Sequence, residues 1–354
     1  MRFGLIQNYS SDIAEIADAV DAYETAGLDT IAVAEAYSFD AVSRLGYLAA
    51  KTQTIGLMSN IFQLYTRTPS LTAMTAASLD SLAPGGFTLG LGASGPQVIE
   101  GFHGVPYDAP LGRMREIVEI CRQIWRREPV VHEGKHYSVP LSRERGGSGL
   151  GKPLKLINPM ARPDIPISIA ALGPQSVAQV AEIADGWQPI FFDPELASKV
   201  WGESLEAGTA KRRPELGPLD IQVQVFFAFG DPSPEAVMRI RAYLALYIGG
   251  MGAKGKNFYN DIVSKYGFDA EAAEIQDLYL AGRRAEAVAA VPDELVHGVT
   301  LMGDPERLRR RVAGFAAAGV TELLLAPVAE TAEQRLDDVI SLLGAVRDSG
   351  TAQR

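Results

Sequence analysis

The sequence predicts an α/β fold, a parallel (β/α)₈ barrel of the TIM type with an insertion after strand four. Three observations carry that expectation. Short apolar runs alternate with amphipathic segments from end to end, which is the pattern of βα units in a parallel sheet. Eight of those runs qualify as strands, and nearly all are followed by a helical pattern. At 354 residues and 47% hydrophobic content the chain can bury a large core, and α/β barrels routinely reach such lengths as single units. A doubly wound open sheet fits the same alternation, but eight strands favour closure. One barrel domain over 1–354 is expected, with an insertion at about 128–163 and a helical excursion at about 250–290.

The elements follow in order. Phe3 to Ile6 is the first strand, and Ile13, Ile16, Ala17, Val20 and Tyr23 then recur at helical spacing. Asp12 with Glu15 resembles a capping box opening that helix, and Gly27 closes it. Thr30 to Ala34 is the second strand, followed by a helix from about Asp40 to Lys51. Thr54 to Ile61 is the third; Thr68 then serves as an N-cap, with Pro69 in the first turn of a helix reaching about Leu82. Phe87 to Leu91 is the fourth strand, and a helix from about Leu111 to Arg126 carries Ile117, Ile120, Cys121 and Ile124 on one face.

The rhythm breaks between Glu128 and Pro163, where Val130-Val131 and His136 to Val139 suggest a small hairpin and Arg143 to Gly151 is rich in glycine and charge. It resumes with Ile165 to Ala170 and the helix Pro174 to Ala184. Trp187 to Phe191 is strand six, Asp220 to Ala228 strand seven, and Glu322 to Ala326 strand eight. Helices run from Pro234 to about Ile248, through roughly Phe258 to Ala290, from Asp304-Pro305-Glu306, and at the end to about Val346.

A net charge of −10 argues against a broad nucleic-acid footprint, which needs clustered Lys and Arg. The single Cys121 leaves no disulfide framework and no cysteine-rich zinc site. The opening Met-Arg-Phe-Gly-Leu-Ile turns polar at Gln7, too soon for a signal peptide, and no apolar run is long enough to span a membrane. A cytoplasmic protein acting on a small molecule is expected, with no metal. The sequence leaves open whether it forms a homodimer.

In parallel α/β folds chemistry sits at the C-terminal strand ends. The segment Ala171-Leu-Gly-Pro-Gln-Ser176 has the composition of a phosphate-binding helix start. Gly173 allows close backbone approach, Pro174 begins the helix, and the amides of Gln175 and Ser176 stay free at the positive dipole end. An ordinary well-capped turn would read the same. Gly90-Leu-Gly92-Ala-Ser-Gly95 matches G-x-G-x-x-G, but Pro96 and the residues to Pro106 read as loop rather than an immediately opening helix, so a dinucleotide site is not expected. The same stretch is not a nucleophile elbow at Ser94, because Pro96 replaces the second glycine. A loop of small residues admitting a planar cofactor fits better. Glu35 ends strand two and should reach the barrel mouth, as a proton donor, a cofactor contact or a rim carboxylate capping a helix. His103 reads as a loop contact, and His132 with His136 sits in a hairpin setting that argues against a metal pair.

Three blocks taken in order, Ile55 to Pro69, Leu89 to Gln97 and Ile169 to Ser176 with Glu182 to Gly186, make the chain resemble the luciferase-like monooxygenase superfamily, and within it the F420-dependent oxidoreductases. The resemblance covers nearly the whole chain. It implies a (β/α)₈ barrel with an insertion after strand four, and a non-proline cis peptide at Asn60–Ile61 whose bulge supports a deazaflavin ring. It places Asn60, Ile61, Gln63, Ala93, Ser94 and Gly95 around that ring, and puts the cofactor phosphate at Leu172, Gly173, Gln175 and Ser176. Related sugar-phosphate dehydrogenases have a histidine where Ala36 follows Glu35, and a glutamate just after the strand-four glycines where this chain has Gly95-Pro96. Their acid–base machinery and sugar-phosphate substrates therefore do not carry over, and Glu35 is left as the candidate catalytic and cofactor-binding carboxylate. The resemblance implies coenzyme F420 and hydride transfer between the deazaflavin C5 and an organic substrate. The alternatives are an FMN-dependent monooxygenase taking reduced flavin from a partner reductase, and a non-catalytic flavin-binding barrel. The glutamate tail of F420 would suit Arg143, Arg145, Lys152 and Lys155 of the insertion.

Overall fold

Short runs rich in Ile, Leu, Val and Phe form the wall of the molecule, because each strand buries one face against helices and the other in the barrel interior. In the computed structural model, which describes residues 1–9, 12–252 and 254–347, eight parallel strands close into a ring. They are β1 (Arg2–Gln7), β2 (Thr30–Val33), β3 (Gly56–Ser59), β4 (Phe87–Gly92), β5 (Ile167–Ala170), β6 (Gly186–Gln188), β7 (Asp220–Phe229) and β8 (Glu322–Pro327). Each pairs with its neighbours in chain order, and β8 returns to β1 with Arg2 opposite Glu322. The fold is a TIM barrel, and its eight strands are those the alternation predicts.

Two hydrophobic layers result. The larger lies between strands and helices, with Leu5, Ile31, Val33, Leu57, Leu89 and Leu323 facing outward into it. The barrel interior is thin and partly polar: Ile6, Ala32, Met58 and Leu324 form one small layer. Below it the Ser168 hydroxyl donates to Gln222 Oε1 at 2.5 Å, and Gln222 Nε2 donates to Glu322 Oε2 at 2.7 Å. Gly4 faces this interior because a Cβ there would stand 2.6 Å from Leu324 Cδ2.

The capping signals hold where the cap and its helix are adjacent. Thr68 accepts from the Leu71 amide at 3.2 Å ahead of the helix Pro69–Leu82, and Asp40 accepts from the Ser43 amide at 2.7 Å ahead of Ala41–Ala49. The first helix differs from expectation. Asp12 caps it, but Glu15 bonds Arg335 of the last helix at 2.7 and 2.9 Å instead of completing a capping box, and the segment breaks at Ala19 into Ile13–Asp18 and Val20–Ala26.

Other differences concern short elements. Strand six stops at Gln188, and Phe191 adopts a left-handed φ of 58°. A helix Ala197–Thr209 that the periodicity did not reveal follows it. A one-turn helix, Pro96–Ile99, opens where loop was expected. The insertion hairpin pairs His132–Glu133 with Ser138–Val139, two residues later than read on its first arm. A further strand, Thr300–Gly303, went unrecognised and pairs with the upper half of β7. The excursion after β7 comprises the helices Pro234–Gly250, Phe258–Lys265, Asp269–Leu280, Arg284–Ala289 and Asp293–Gly298. Among the described residues no helix is long and apolar enough to cross a membrane.

Candidate functional site

The C-terminal rim of the barrel carries the candidate site. At the end of β3 the peptide bond Asn60–Ile61 is cis, the bond the resemblance singled out. The chain then resumes as Phe62–Gln63, pairing with Leu91 and Gly92 of β4. The glycines of β4 are explained here. A Cβ on Gly90 would lie 1.6 Å from the Ser59 carbonyl oxygen, and one on Gly92 would lie 2.7 Å from Ile61 Cδ1. Gly-Leu-Gly is therefore the pattern that lets β3 bulge against β4, which a dinucleotide fingerprint would not require. The Ser59 hydroxyl accepts from the Gly90 amide at 2.8 Å and donates to its carbonyl at 2.9 Å. Asn60 Nδ2 donates to Gln188 Oε1 at 2.9 Å, tying the bulge to the end of β6.

Asn60 and Ile61 are partly exposed at the mouth, and Ala93 to Gly95 lie beside them with Ser94 at a left-handed φ of 58°. Gln63 behaves differently. It is buried, and neither atom of its amide has a hydrogen-bond partner among the described residues.

The strand-five turn is held from below by two indoles. Trp187 Nε1 donates to the Ala171 carbonyl and Trp201 Nε1 to the Leu172 carbonyl, both at 2.9 Å, and the two rings meet edge to face at 5.3 Å. Gly173 is the N-cap of Pro174–Ile183 and supplies no side-chain cap. The Ser176 hydroxyl turns back to the Gly173 carbonyl at 2.8 Å. The amides of Gln175 and Ser176 thus face outward at the positive end of a ten-residue helix, an arrangement suited to a phosphate. What crowds Gly173 is the ring of Phe258, whose Cε1 would lie 2.8 Å from a Cβ there.

Glu35 reaches the mouth but is engaged by this chain. Its carboxylate bonds Arg67 at 2.6 and 2.9 Å and accepts from the Ala41 amide at 3.0 Å, so it starts the following helix as it pins the loop after β3. The Arg67 guanidinium also lies 4.3 Å over the Phe62 ring. With both oxygens engaged, little acceptor capacity is left for a ligand. Arg67 and its neighbours Tyr65, Arg113 and Tyr137 line a recess of about 310 Å³ beside the mouth.

Among the remaining candidates, His103 Nε2 is buried and has no hydrogen-bond partner among the described residues. Phe102 stands edge-on to His103, with ring centroids 5.1 Å apart. Glu116 anchors the hairpin by accepting from the amides of His136 and Tyr137 and facing His132 Nε2 at 3.3 Å. Among the described residues no group of His, Cys, Asp and Glu could hold a metal. Cys121 is fully buried, which pushes its thiol up to about 12. Arg145 is committed to the hairpin through the Gly134 carbonyl at 2.7 Å, whereas Lys152 and Lys155 are exposed. What sequence reasoning missed is a set of aromatic side chains facing the mouth from the β6–β7 side. Tyr243 and Tyr247, four residues apart in the helix after strand seven, were the available signal.

The luciferase-like monooxygenase family model matches residues 1–322. The chain is 42% identical over 324 residues, 91% of its length and 92% of the other's, to a protein of Mycobacterium tuberculosis assigned by name to the coenzyme F420-dependent oxidoreductases. It is 26% identical to the 5,10-methylenetetrahydromethanopterin reductase of Archaeoglobus fulgidus, covering 92% of each chain. Its fold matches the coenzyme F420-dependent tetrahydromethanopterin reductase of Methanopyrus kandleri with a TM-score of 0.78 at 21% identity, covering 96% of this chain and 97% of that one.

Proposed function

The chain belongs to the luciferase-like monooxygenase family, and from that premise we propose that it is an oxidoreductase working with coenzyme F420. The observation that carries the proposal is the placing of the Asn60–Ile61 bulge and the uncapped helix start at Gly173 on the two strands that flank β4. Between them β4 ends in the small residues Gly92, Ala93, Ser94 and Gly95. A flat ring system joined to a phosphate suits this cradle: the bulge at Asn60–Ile61 would support the ring and the amides of Gln175 and Ser176 would hold the phosphate. Leu172 and Gly173 shape the phosphate turn, and Gln63 backs the bulge from within. The exposed Lys152 and Lys155 suit an acidic tail.

Bound there, the deazaflavin supplies hydride transfer at C5 to or from an organic substrate. The protein's part is to orient the ring and exclude water. Glu35 serves this reading as the group that fixes Arg67 and the loop after β3, rather than as a proton carrier. A second copy of the chain would suit the exposed stripe of Leu71, Met74 and Leu82 on the helix Pro69–Leu82, and sedimentation at micromolar concentration tests that pairing.

The main test is titration with F420 and FMN side by side, followed by absorbance and fluorescence. Tighter binding of F420 is expected, and preference for FMN would favour the monooxygenase reading. Gly173→Val should weaken F420 by at least about tenfold in a folded barrel, since it narrows the approach to two charge-assisted amide contacts. Phe258→Ala distinguishes the turn itself from the ring above it. Unchanged affinity in a folded Gly173→Val protein would remove this turn from the site.

A further inference from the structure

Across the barrel from the cis bulge stands a wall of aromatic rings. In the ring of eight strands β7 lies four places from β3, so the two face each other over the mouth. Phe226 of β7 meets Tyr243 at 4.9 Å, and Tyr243 meets Tyr247 at 4.4 Å one helical turn on. Tyr259 of the excursion stands edge-on to Tyr247 at 4.8 Å. Phe191, in its left-handed conformation beyond β6, touches Tyr243, Tyr247 and Tyr259 at 5.7–6.1 Å. That conformation is held by Tyr266, whose hydroxyl donates to the Phe191 carbonyl at 2.7 Å.

These rings pack against the core without being closed off by it. Tyr243, Tyr247 and Tyr259 remain partly exposed. Tyr9, at the end of β1, is 48% exposed, yet desolvation, with Tyr247 and Tyr37 nearby, pushes its phenol up to about 12. Water reaches this ring while protein surrounds it. Burial raises Tyr247 as well, and the groups that press on it are Tyr243 and Tyr37, with no carboxylate or cation among them. Tyr243 and Tyr247 stand with ring centroids 4.4 Å apart, and burial holds both phenols in their protonated form. On the rim, Glu35 and Arg67 neutralise each other.

We propose that this wall is the substrate-recognising surface of the site, and that the substrate is an uncharged, ring-bearing molecule with a carbonyl-type oxygen that accepts a hydrogen bond from Tyr247. The inference rests on the F420 reading, which places the cofactor ring on the bulge and leaves the gap between bulge and wall to the substrate. Rings offer stacking and edge-to-face contact to another ring. Phenols that keep their protons are donors to a carbonyl oxygen. An anion entering the gap would shed water and find no counter-charge among these side chains, which is costly.

The test uses the F420-loaded protein and three probes of one size: 1-tetralone, neutral with an acceptor oxygen; tetralin, the same rings without it; and 1-naphthoate, an anion. Binding is followed by calorimetry. Tetralone is expected to bind at least about fivefold more tightly than tetralin, the worth of one hydrogen bond, and more tightly still than naphthoate. Tyr247→Phe should erase the tetralone advantage, keep tetralin binding and leave F420 affinity unchanged. Naphthoate binding as well as tetralone, no binding by any probe, or a tetralone advantage that survives in Tyr247→Phe would each overturn the assignment. Failure of the wild type to bind F420 refutes the cofactor reading, and this inference falls with it. Intact F420 binding with the wrong probe order refutes the substrate class alone.

Discussion

Replacing Gly90 with alanine challenges the account of the bulge at its tightest point. The new Cβ would stand 1.6 Å from the Ser59 carbonyl oxygen and 2.8 Å from its carbonyl carbon. Both are backbone atoms, so no side chain can swing aside, and relief requires β3 to part from β4. The two hydrogen bonds between the Ser59 hydroxyl and the Gly90 backbone lie at the same spot and would be lost. Overpacking costs about 1–3 kcal/mol and each buried hydrogen bond about 1 kcal/mol, so the loss should reach about 3–5 kcal/mol, a large part of a typical domain's stability. Gly46 supplies the control. It sits in the helix Ala41–Ala49, and a Cβ there meets nothing within 4 Å, so Gly46→Ala should stabilise by about 0.5–1 kcal/mol. Urea denaturation followed by circular dichroism measures both, with F420 titration of each folded protein alongside. A Gly90→Ala protein within about 0.5 kcal/mol of wild type, and with unchanged F420 affinity, would refute the claim that the glycines of β4 exist to admit the bulge.

Three further outcomes are expected. Glu35→Gln leaves the mostly buried Arg67 with only the more exposed Asp40 carboxylate, 3.4 Å away, as counter-charge and should cost about 3 kcal/mol in chemical denaturation, with single-turnover oxidation of bound reduced F420 little changed; a rate loss of about 10²–10⁴ in a protein of full stability would instead make Glu35 the proton carrier. Burial alone would raise Glu116, but the Tyr137 and His136 amides and the His132 ring outweigh it and hold the carboxyl below its ordinary 4.5. Its contribution is therefore complete above that value and is lost as pH falls through the depressed one, so hydrogen exchange at 132–139 should quicken on acidification, and Glu116→Gln should remove that pH dependence. Cys121, buried with its thiol pushed up to about 12, should resist Ellman's reagent in the native protein and react stoichiometrically in denaturant; native labelling on the same timescale as unfolded protein would contradict its packing.

The barrel was legible because its signals are local. Short apolar runs, a Thr68 cap beside Pro69 and an Asp40 cap all act within a few residues. The cis bond came from resemblance, and its physical counterpart, the clearance over Gly90 and Gly92, appears only once β3 lies against β4. What escaped the sequence depends on distant partners. The carboxylate of Glu35 is occupied by a residue 32 positions away, and Glu15 is drawn from its own cap by Arg335, 320 positions away. Strand six was read too long because Phe191 is apolar. Its backbone conformation is set by Tyr266 and the tyrosine cluster, not by its own propensity. Thr300–Gly303 is four residues long and becomes a strand only because β6 stops early and leaves the upper half of β7 without a partner on that side.

That late strand also defines how the excursion is attached. The chain leaves the barrel at Gly230 and comes back at Gly303, and the Gly230 amide bonds the Gly303 carbonyl at 2.8 Å. Everything between, including Tyr243, Tyr247 and Tyr259, hangs from two neighbouring points on one edge of the wall. Lengthening or exchanging a segment whose ends already touch adds little closure entropy and leaves the strands below undisturbed. Residues 231–299 therefore form a cassette: a donor segment that keeps the Phe226–Thr300 register and a ring in the place of Phe258 over Gly173 can be spliced in while β3 and β4 stay in place. Recognition can diversify in this molecule without renegotiating the bulge opposite.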